Sequence, residues 1–142
     1  MATMNTYLNF AGNTEEAFNF YRSVFGGEFK GGINRFGDTP EADKIPENER
    51  DKVMHIALPI GNGNVLMGTD ALESMGQTLT QGNNYYISLH PESMEEAEKL
   101  YKGLSAGGAI ETELQKVFWG AYFGSFTDKF GVKWMVNYDV EQ

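Results

Sequence analysis

The chain has 142 residues, is 41% hydrophobic, carries a formal net charge of −9 and contains no cysteine. Its length suits one compact domain, or two small halves that share a core, and its composition is that of a globular protein. The negative charge argues against a nucleic-acid partner or an anionic membrane surface, and the lack of cysteine excludes disulfides, thiolate zinc sites and cysteine nucleophiles.

The beginning of the chain shows no targeting signal. Residues 1–5 have neither the basic segment nor the apolar segment of a secretory signal. No apolar run elsewhere approaches the ~20 residues that cross a bilayer. We therefore expect a cytoplasmic protein with neither a membrane nor a nucleic acid as its partner.

An internal repeat organises the chain. The segment 13–22 (NTEEAFNFYR) returns 80 positions later as 93–102 (SMEEAEKLYK). Each copy opens with a capping residue, Asn13 or Ser93, has Glu three residues later, and continues with apolar residues at the spacing of an amphipathic helix. Paired glycines follow each copy, so the pattern predicts two helices of about three turns.

Short β-like runs surround each helix. They cover residues 7–10, 29–36, 53–60 and 65–69 in the first half, and 85–89, 110–117, 122–127 and 132–138 in the second. Glycine-containing turns at 61–64 and 128–131 join the last two runs of each half as hairpins. Each half is therefore predicted to be a βαβββ module. We expect a first module at 1–70, a linker at 71–82 and a second module at 83–142, within one structural domain overall.

Six short motifs lie around these elements. They are YLNFAG (7–12), FYRSVFGG (20–27), MHIAL (54–58), LMGTD (66–70), FWG (118–120) and DKFGVKW (128–134). With the two Glu-Glu-Ala helix starts, they resemble the vicinal oxygen chelate superfamily, which includes glyoxalase I, extradiol dioxygenases and bleomycin-resistance proteins. The similarity is greatest to its PhnB-like branch. The resemblance implies an α+β fold in which two βαβββ modules form a curved mixed sheet around a cleft with the helices outside, and it implies a homodimer.

The resemblance also identifies where a metal ion would lie. Metal-dependent members of the superfamily hold a divalent ion with His or Glu on the first, fourth, fifth and eighth strands. The residues of this chain at those positions are Asn5 or Thr6, Met67, Tyr86 and Met135. None of them is a good ligand for a hard divalent ion. We therefore predict no metal and no other cofactor, with the two methionines as an apolar pocket floor.

The chain has two histidines. His55 lies in the third predicted strand between Met54 and Ile56, which we assign to the helix-covered face, so the alternation predicts that His55 points into the cavity. It is the candidate base or hydrogen-bond donor of the site, and the alternative is a structural histidine bonded to a neighbouring strand or a partner chain. His90, just before Pro91, is predicted to be a surface turn residue.

Hydroxyls and amides alternate with aromatic residues on the first strand of each half. This mixture suits a small, partly apolar ligand, although ordinary packing accounts for it equally well. Trp119, beside Gly120, is a candidate for the pocket wall, whereas Trp134 is assigned to the core. The residues expected to bind the ligand are Tyr7, Asn9, His55, Met67, Tyr86, Ser88, Trp119 and Met135.

Two functions fit this pattern. The first is a protein of the PhnB-like branch that binds a small molecule in a metal-free cleft, with no catalysis evident from the sequence. The alternative is a metal-dependent isomerase, lyase or dioxygenase of the same superfamily, with His55 as base and Asp70, Glu47 or Glu49 completing a rearranged metal site. The missing His and Glu ligands favour the first. A methyltransferase function is disfavoured because the chain lacks a glycine-rich strand-to-helix turn for S-adenosylmethionine.

Overall fold

The computed structural model describes residues 2–140 and divides into two compact units, one ending at Thr80 and the other starting at Gln81. The elements of the first unit are β1 (Thr6–Phe10), α1 (Thr14–Phe25), β2 (Asn34–Arg35), β3 (Val53–Gly61) and β4 (Asn64–Asp70). Those of the second are β5 (Ile87–Leu89), α2 (Met94–Ser105), β6 (Ala109–Lys116), β7 (Ala121–Thr127) and β8 (Lys133–Asp139). The predicted α+β class with two βαβββ modules is confirmed. No helix in the described part of the chain is long and apolar enough to cross a membrane.

Each unit forms a mixed four-stranded sheet. The strand orders are β1-β4-β3-β2 and β5-β8-β7-β6. In the first sheet β1 runs parallel to β4, and in the second sheet β5 runs parallel to β8. The other pairs are antiparallel. We predicted that these strands form one curved sheet. Within residues 2–140 their hydrogen bonds instead form two separate sheets.

Helix α1 covers one face of the first sheet with an apolar stripe that includes Ala17, Phe18 and Tyr21, all fully buried. Phe20 also lies at the helical spacing from Ala17 and was expected in this stripe, but it is only half-buried, whereas Phe18 is fully buried. Phe18 lies directly over Gly68 of β4, where an added Cβ would be 2.6 Å from the ring. The helix therefore fits closely against the sheet because that position has no side chain.

Helix α2 covers one face of the second sheet in the same way. Its buried residues are Ala97, Leu100 and Leu104. They pack in a core that includes Trp134, which is fully buried as predicted. The indole Nε1 of Trp134 donates to Oδ2 of Asp128 (2.9 Å), so the polar atom of this core tryptophan is satisfied.

The two helices begin differently. Ser93 caps α2 as predicted, since its hydroxyl accepts a hydrogen bond from the Glu96 backbone N–H (3.1 Å), and the Glu96 carboxylate accepts one from the Glu92 N–H (2.9 Å). The corresponding prediction for α1 is wrong, because the Asn13 side chain makes no capping hydrogen bond.

A buried carboxylate from β4 takes over that task. Oδ1 of Asp70 accepts hydrogen bonds from the backbone N–H of Gly12 and of Thr14 (both 3.1 Å) and from the Thr14 hydroxyl (2.6 Å). Its Oδ2 accepts from the backbone N–H of Val53 (2.8 Å). One side chain therefore joins the end of β4 to the start of α1 and to the start of β3.

The second predicted strand is largely absent. Of residues 29–36, only Asn34 and Arg35 form a strand along β3, although the Lys30 N–H also donates to the Ala57 carbonyl of β3 (2.8 Å). Gly31 and Gly32 have φ values of +75° and +71°, outside the range of an extended strand, and they interrupt the run. Both predicted hairpins are present: β3 and β4 meet at the turn 61–64, and in the turn 128–131 the Asp128 N–H donates to the Val132 carbonyl (2.8 Å).

Replacing Asp70 tests its role as an anchor. In Asp70→Asn an amide group would face the backbone N–H donors that now meet a carboxylate oxygen, so we expect a loss of about 3 kcal/mol in the free energy of unfolding. Urea denaturation measures the loss. The matched control, Asp43→Asn at an exposed position, should stay within about 0.5 kcal/mol of the wild type. An Asp70→Asn variant as stable as that control would contradict the role.

Candidate functional site

The side of the first sheet opposite α1, which we call the first open face, carries several of the predicted site residues. The register places Tyr7 of β1 beside Met67 of β4, and Met67 beside Ala57 of β3. Because side chains alternate along a strand, His55 shares this side with Ala57, whereas Ile56 and Leu58 point toward α1. Asn9 is paired with Thr69 one step further along the same side.

Tyr7 and His55 are in contact across this face. The Tyr7 hydroxyl is 3.3 Å from Nδ1 of His55, and the ring centroids are 5.9 Å apart. If the phenol donates to Nδ1, the neutral imidazole carries its proton on Nε2 and presents a donor. Tyr7 is 46% exposed and His55 is half-buried, so this pair is accessible.

The register also decides between the two candidates for the first metal position. Tyr7 is on the Met67 side, so Asn5, two residues earlier, shares that side and Thr6 does not. Oδ1 of Asn5 accepts a hydrogen bond from the backbone N–H of Val65 (3.1 Å). This amide therefore holds the beginning of β4 with the oxygen that would otherwise coordinate an ion.

The side of the second sheet opposite α2, the second open face, is arranged around Met135. The register places Met135 of β8 between Ser88 of β5 and Ser125 of β7. Ser88 is exposed, and its hydroxyl is 3.1 Å from Nε2 of His90, which is an exposed residue as predicted.

Aromatic residues mark one end of this face. Phe123 is paired with Asn137, which lies two residues after Met135 and on the same side of β8. Trp119 lies in the loop before β7, is 53% exposed and packs against Phe123 with ring centroids 5.9 Å apart. Trp119 therefore lies near Phe123 at the edge of the second open face.

A polar group lies at the other end, and we call it the Glu111 cluster (Tyr86, Glu111, Thr127 and Lys133). Only Tyr86 of these four residues was predicted from the sequence to be a site residue. The Glu111 carboxylate accepts hydrogen bonds from the Tyr86 hydroxyl, from the Thr127 hydroxyl (3.1 Å) and from Nζ of Lys133. Nζ of Lys133 also lies 3.2 Å from the Thr127 hydroxyl and 5.0 Å from the centre of the Tyr86 ring.

The electrostatics of the Glu111 cluster follow from this geometry. The hydrogen bond from Lys133, and after it the one from Tyr86, lowers the pKa of Glu111 below its ordinary value. The same carboxylate raises the pKa of Lys133 and that of Tyr86. At neutral pH the cluster therefore holds one positive charge, one negative charge and a neutral phenol.

Part of the Glu111 cluster could have been found from the sequence. Since Trp134 is a core residue, strand alternation puts Lys133 and Met135 together on the opposite side. Glu111 could not be placed in this way, because the pairing of β6 with β7 shifts between Ile110 and Thr112 and again between Thr112 and Gln115. Each such shift breaks the period of two on which the argument depends.

A surface depression of about 480 Å³ adjoins the cluster. Thr127 and Lys133 belong to its wall, together with the carboxamide side chains of Gln81 and Asn83 and with Gly82 and Gly131. The volume falls within the range of small-molecule sites, roughly 300–1,000 Å³.

The carboxylates suggested for a rearranged metal site are engaged or dispersed. Both oxygens of Asp70 accept backbone hydrogen bonds, as described above. Glu49 is buried and accepts a hydrogen bond from the Ser74 hydroxyl, while Glu47 is exposed. Within residues 2–140, no group of three or more His, Asp or Glu side chains is placed to hold a metal ion.

Comparison with known proteins identifies clear relatives. The model of the glyoxalase/bleomycin resistance protein/dioxygenase superfamily matches residues 3–136. Protein YjdN of Escherichia coli (strain K12) is 33% identical over 138 residues, which are 94% of this chain and 93% of YjdN.

Two solved structures support the same relationship. Protein PA1353 from Pseudomonas aeruginosa is 37% identical, with a TM-score of 0.84 and 98% of each chain covered. The PhnB protein from Bacillus cereus, for which a 3-demethylubiquinone-9 3-methyltransferase activity has been suggested, is 28% identical. Its TM-score is 0.75, with 96% of this chain and 99% of that one covered.

The lowered pKa of Glu111 can be measured by a carbon-13 NMR titration of the carboxyl groups. We expect the Glu111 midpoint to rise in Lys133→Met and, by a smaller step, in Tyr86→Phe, because Lys133 is the larger cause. A carboxyl group whose pKa is lower in the folded than in the unfolded protein stabilises the fold at pH values above its unfolded-state pKa. It loses that contribution as the pH falls through its folded-state pKa. The loss of stability in Lys133→Met should therefore shrink in acid. Lys116→Met, at an exposed position, should leave the midpoint unchanged, and an unmoved midpoint in Lys133→Met would refute the assignment.

Proposed function

Because the chain belongs to the glyoxalase/bleomycin resistance protein/dioxygenase superfamily and is related to YjdN and PhnB, we propose that it binds a small organic molecule on its open faces without a metal ion. The proposed function is binding, without a chemical reaction. The superfamily resemblance also leads us to propose a homodimer.

The composition of the two open faces carries the proposal. Each has a half-buried methionine at its centre, Met67 or Met135, on the side that the helix of the same unit does not cover. A thioether is polarisable and adapts to apolar groups of irregular shape. Around the methionines are side chains that can orient a ligand, such as the Tyr7–His55 pair and the Glu111 cluster. An apolar surface with a few polar groups is typical of sites for small molecules.

The donor set explains why the proposal excludes a bound metal. The four positions implied by the resemblance hold an amide, a phenol and two thioethers, from Asn5, Tyr86, Met67 and Met135. Hard divalent ions favour carboxylate and imidazole ligands instead. The amide oxygen already accepts a backbone hydrogen bond, and the phenol donates to Glu111. These residues do not fit a resident divalent ion.

The alternative, a metal-dependent isomerase, lyase or dioxygenase, has weaker support. It would need Asp70, Glu47 or Glu49 to coordinate the ion beside His55. Withdrawing Asp70 would leave four hydrogen-bond donors, three of them buried, without their acceptor, which carries a large penalty in stability. His55 itself is engaged with Tyr7 rather than with a carboxylate.

Metal content separates the two functions. We expect plasma mass spectrometry of untagged protein, purified without chelator, to find far less than one Ni, Zn, Mn or Fe ion per chain, because the donor set is unsuitable. The value should stay low after incubation with each ion and dialysis. About one tightly held ion per chain would refute the metal-free proposal and make metal-dependent turnover the next measurement.

Ligand binding itself is tested by thermal unfolding with a panel of small, partly apolar metabolites. A compound that binds the folded protein raises its melting temperature. We expect such compounds to lose most of this shift in Met67→Gln or Met135→Gln, since an amide replaces the apolar centre of an open face. Met75→Gln is the matched control, because Met75 is 60% exposed and lies outside both faces. A panel without any shift, or shifts that survive all three substitutions equally, would contradict the proposal.

A further inference from the structure

The second open face has an apolar end and a polar end. Along β7 and β8, the pairs Phe123–Asn137, Ser125–Met135 and Thr127–Lys133 follow one another at steps of two residues. From the first pair to the third is about 13 Å, at ~3.3 Å per residue. Trp119 packs against Phe123 at the first end, Met135 lies in the middle, and the Glu111 cluster occupies the other end. A molecule lying along the strands would meet these surfaces in that order.

The polar end is electrically balanced. Lys133 and Glu111 pair with each other, and their side chains are only 13% and 31% exposed. An anionic ligand would compete with Glu111 for Lys133, and a cationic ligand would compete with Lys133 for Glu111. Either would leave one charge of a partly desolvated pair uncompensated, which is costly. The net charge of −9 further disfavours an anion.

An uncharged polar group avoids this cost. The Thr127 hydroxyl donates to Glu111 and accepts from Lys133, which leaves it one lone pair to accept a further hydrogen bond. Gln81 and Asn83, whose carboxamides can both donate and accept, line the adjoining depression. Hydroxyl or amide groups of a ligand can bond to these side chains while the Lys133–Glu111 pair stays intact.

We infer that the second open face binds an uncharged amphiphilic molecule, with an aryl or alkyl group on Trp119, Phe123 and Met135 and a hydroxyl or carboxamide group at the Glu111 cluster. This inference rests on the proposed function and specifies the class of ligand. It assigns Lys133 and Glu111 to ligand selection by charge.

Three probes with a phenyl ring on a three-carbon chain, which we call the phenylpropyl probes, test the selection. They are 3-phenylpropan-1-ol, 3-phenylpropanoate and 3-phenylpropan-1-amine, which at pH 7 are neutral, anionic and cationic. We expect calorimetric titration to show that the alcohol binds about tenfold or more tightly than either ion, and NMR to show a shift of the Trp119 indole N–H signal on binding. An ion that binds as tightly as the alcohol, or no binding of the alcohol up to its solubility, would overturn the inference.

Substitutions at the ion pair should change the order of the probes. In Lys133→Met the amine should become the tightest, because Glu111 is left without its partner charge. In Glu111→Gln the propanoate should gain affinity through the unpaired Lys133. Lys116→Met is the matched control and should preserve the wild-type order. If each cluster variant weakened all three probes equally, the pair would have only a structural role.

The outcome also separates this inference from the proposed function. If compounds of the metabolite panel bind and depend on Met67 or Met135 while the phenylpropyl probes fail, only the inferred ligand class is wrong. If neither the panel nor the probes bind, both are wrong.

Discussion

The first unit depends on the carboxylate of Asp70. Its oxygens accept four hydrogen bonds from the start of α1, the loop before it and the start of β3. Because Asp70 is the last residue of β4, and β4 lies between β1 and β3, these bonds fix the helix relative to the central strands of its sheet. A negative charge also suits the positive end of the helix dipole. With α1 held on one side of the sheet, the other side is left for Tyr7, His55 and Met67.

The second unit reaches the same topology with different anchors. Ser93 caps α2 locally, and the buried carboxylate of Asp128 instead holds its own hairpin turn and the Trp134 indole. The internal repeat thus preserves the order and direction of the elements, while the polar groups that stabilise them have diverged. This is physically reasonable, since any acceptor that satisfies the first N–H groups of a helix serves as a cap, whether it comes from the helix or from a neighbouring strand.

The open faces connect this architecture to the proposed function. Strand alternation places the residues that pack under each helix on one side and the chemically varied residues on the other, so packing and binding can change independently. On the second face the alternation sets Lys133 and Met135 beside each other while Trp134 is buried. Membership of the superfamily accounts for this scaffold. The function of such a scaffold depends on the side chains of the open faces, and here those include thioethers, phenols, an imidazole and one balanced ion pair.

Local periodicity and turn chemistry were enough to predict the helices, the hairpins, the two βαβββ modules and the buried position of Trp134. The resemblance put Met67 and Met135 at a pocket floor, and in the structure both lie on the side of their sheet opposite the helix. Tertiary structure made Asp70, and not Asn13, the acceptor at the start of α1, since Asp70 meets the N–H groups of Gly12 and Thr14 only when β4 pairs with β1. It alone placed Glu111 beside Lys133 and Tyr86, because the irregular pairing of β6 cannot be derived from a period of two. It also reduced the predicted strand at 29–36 to two residues, where the left-handed conformations of Gly31 and Gly32 outweigh the β propensity of their neighbours. Contacts between residues distant in the chain depend on register, and register is a property of the assembled sheet.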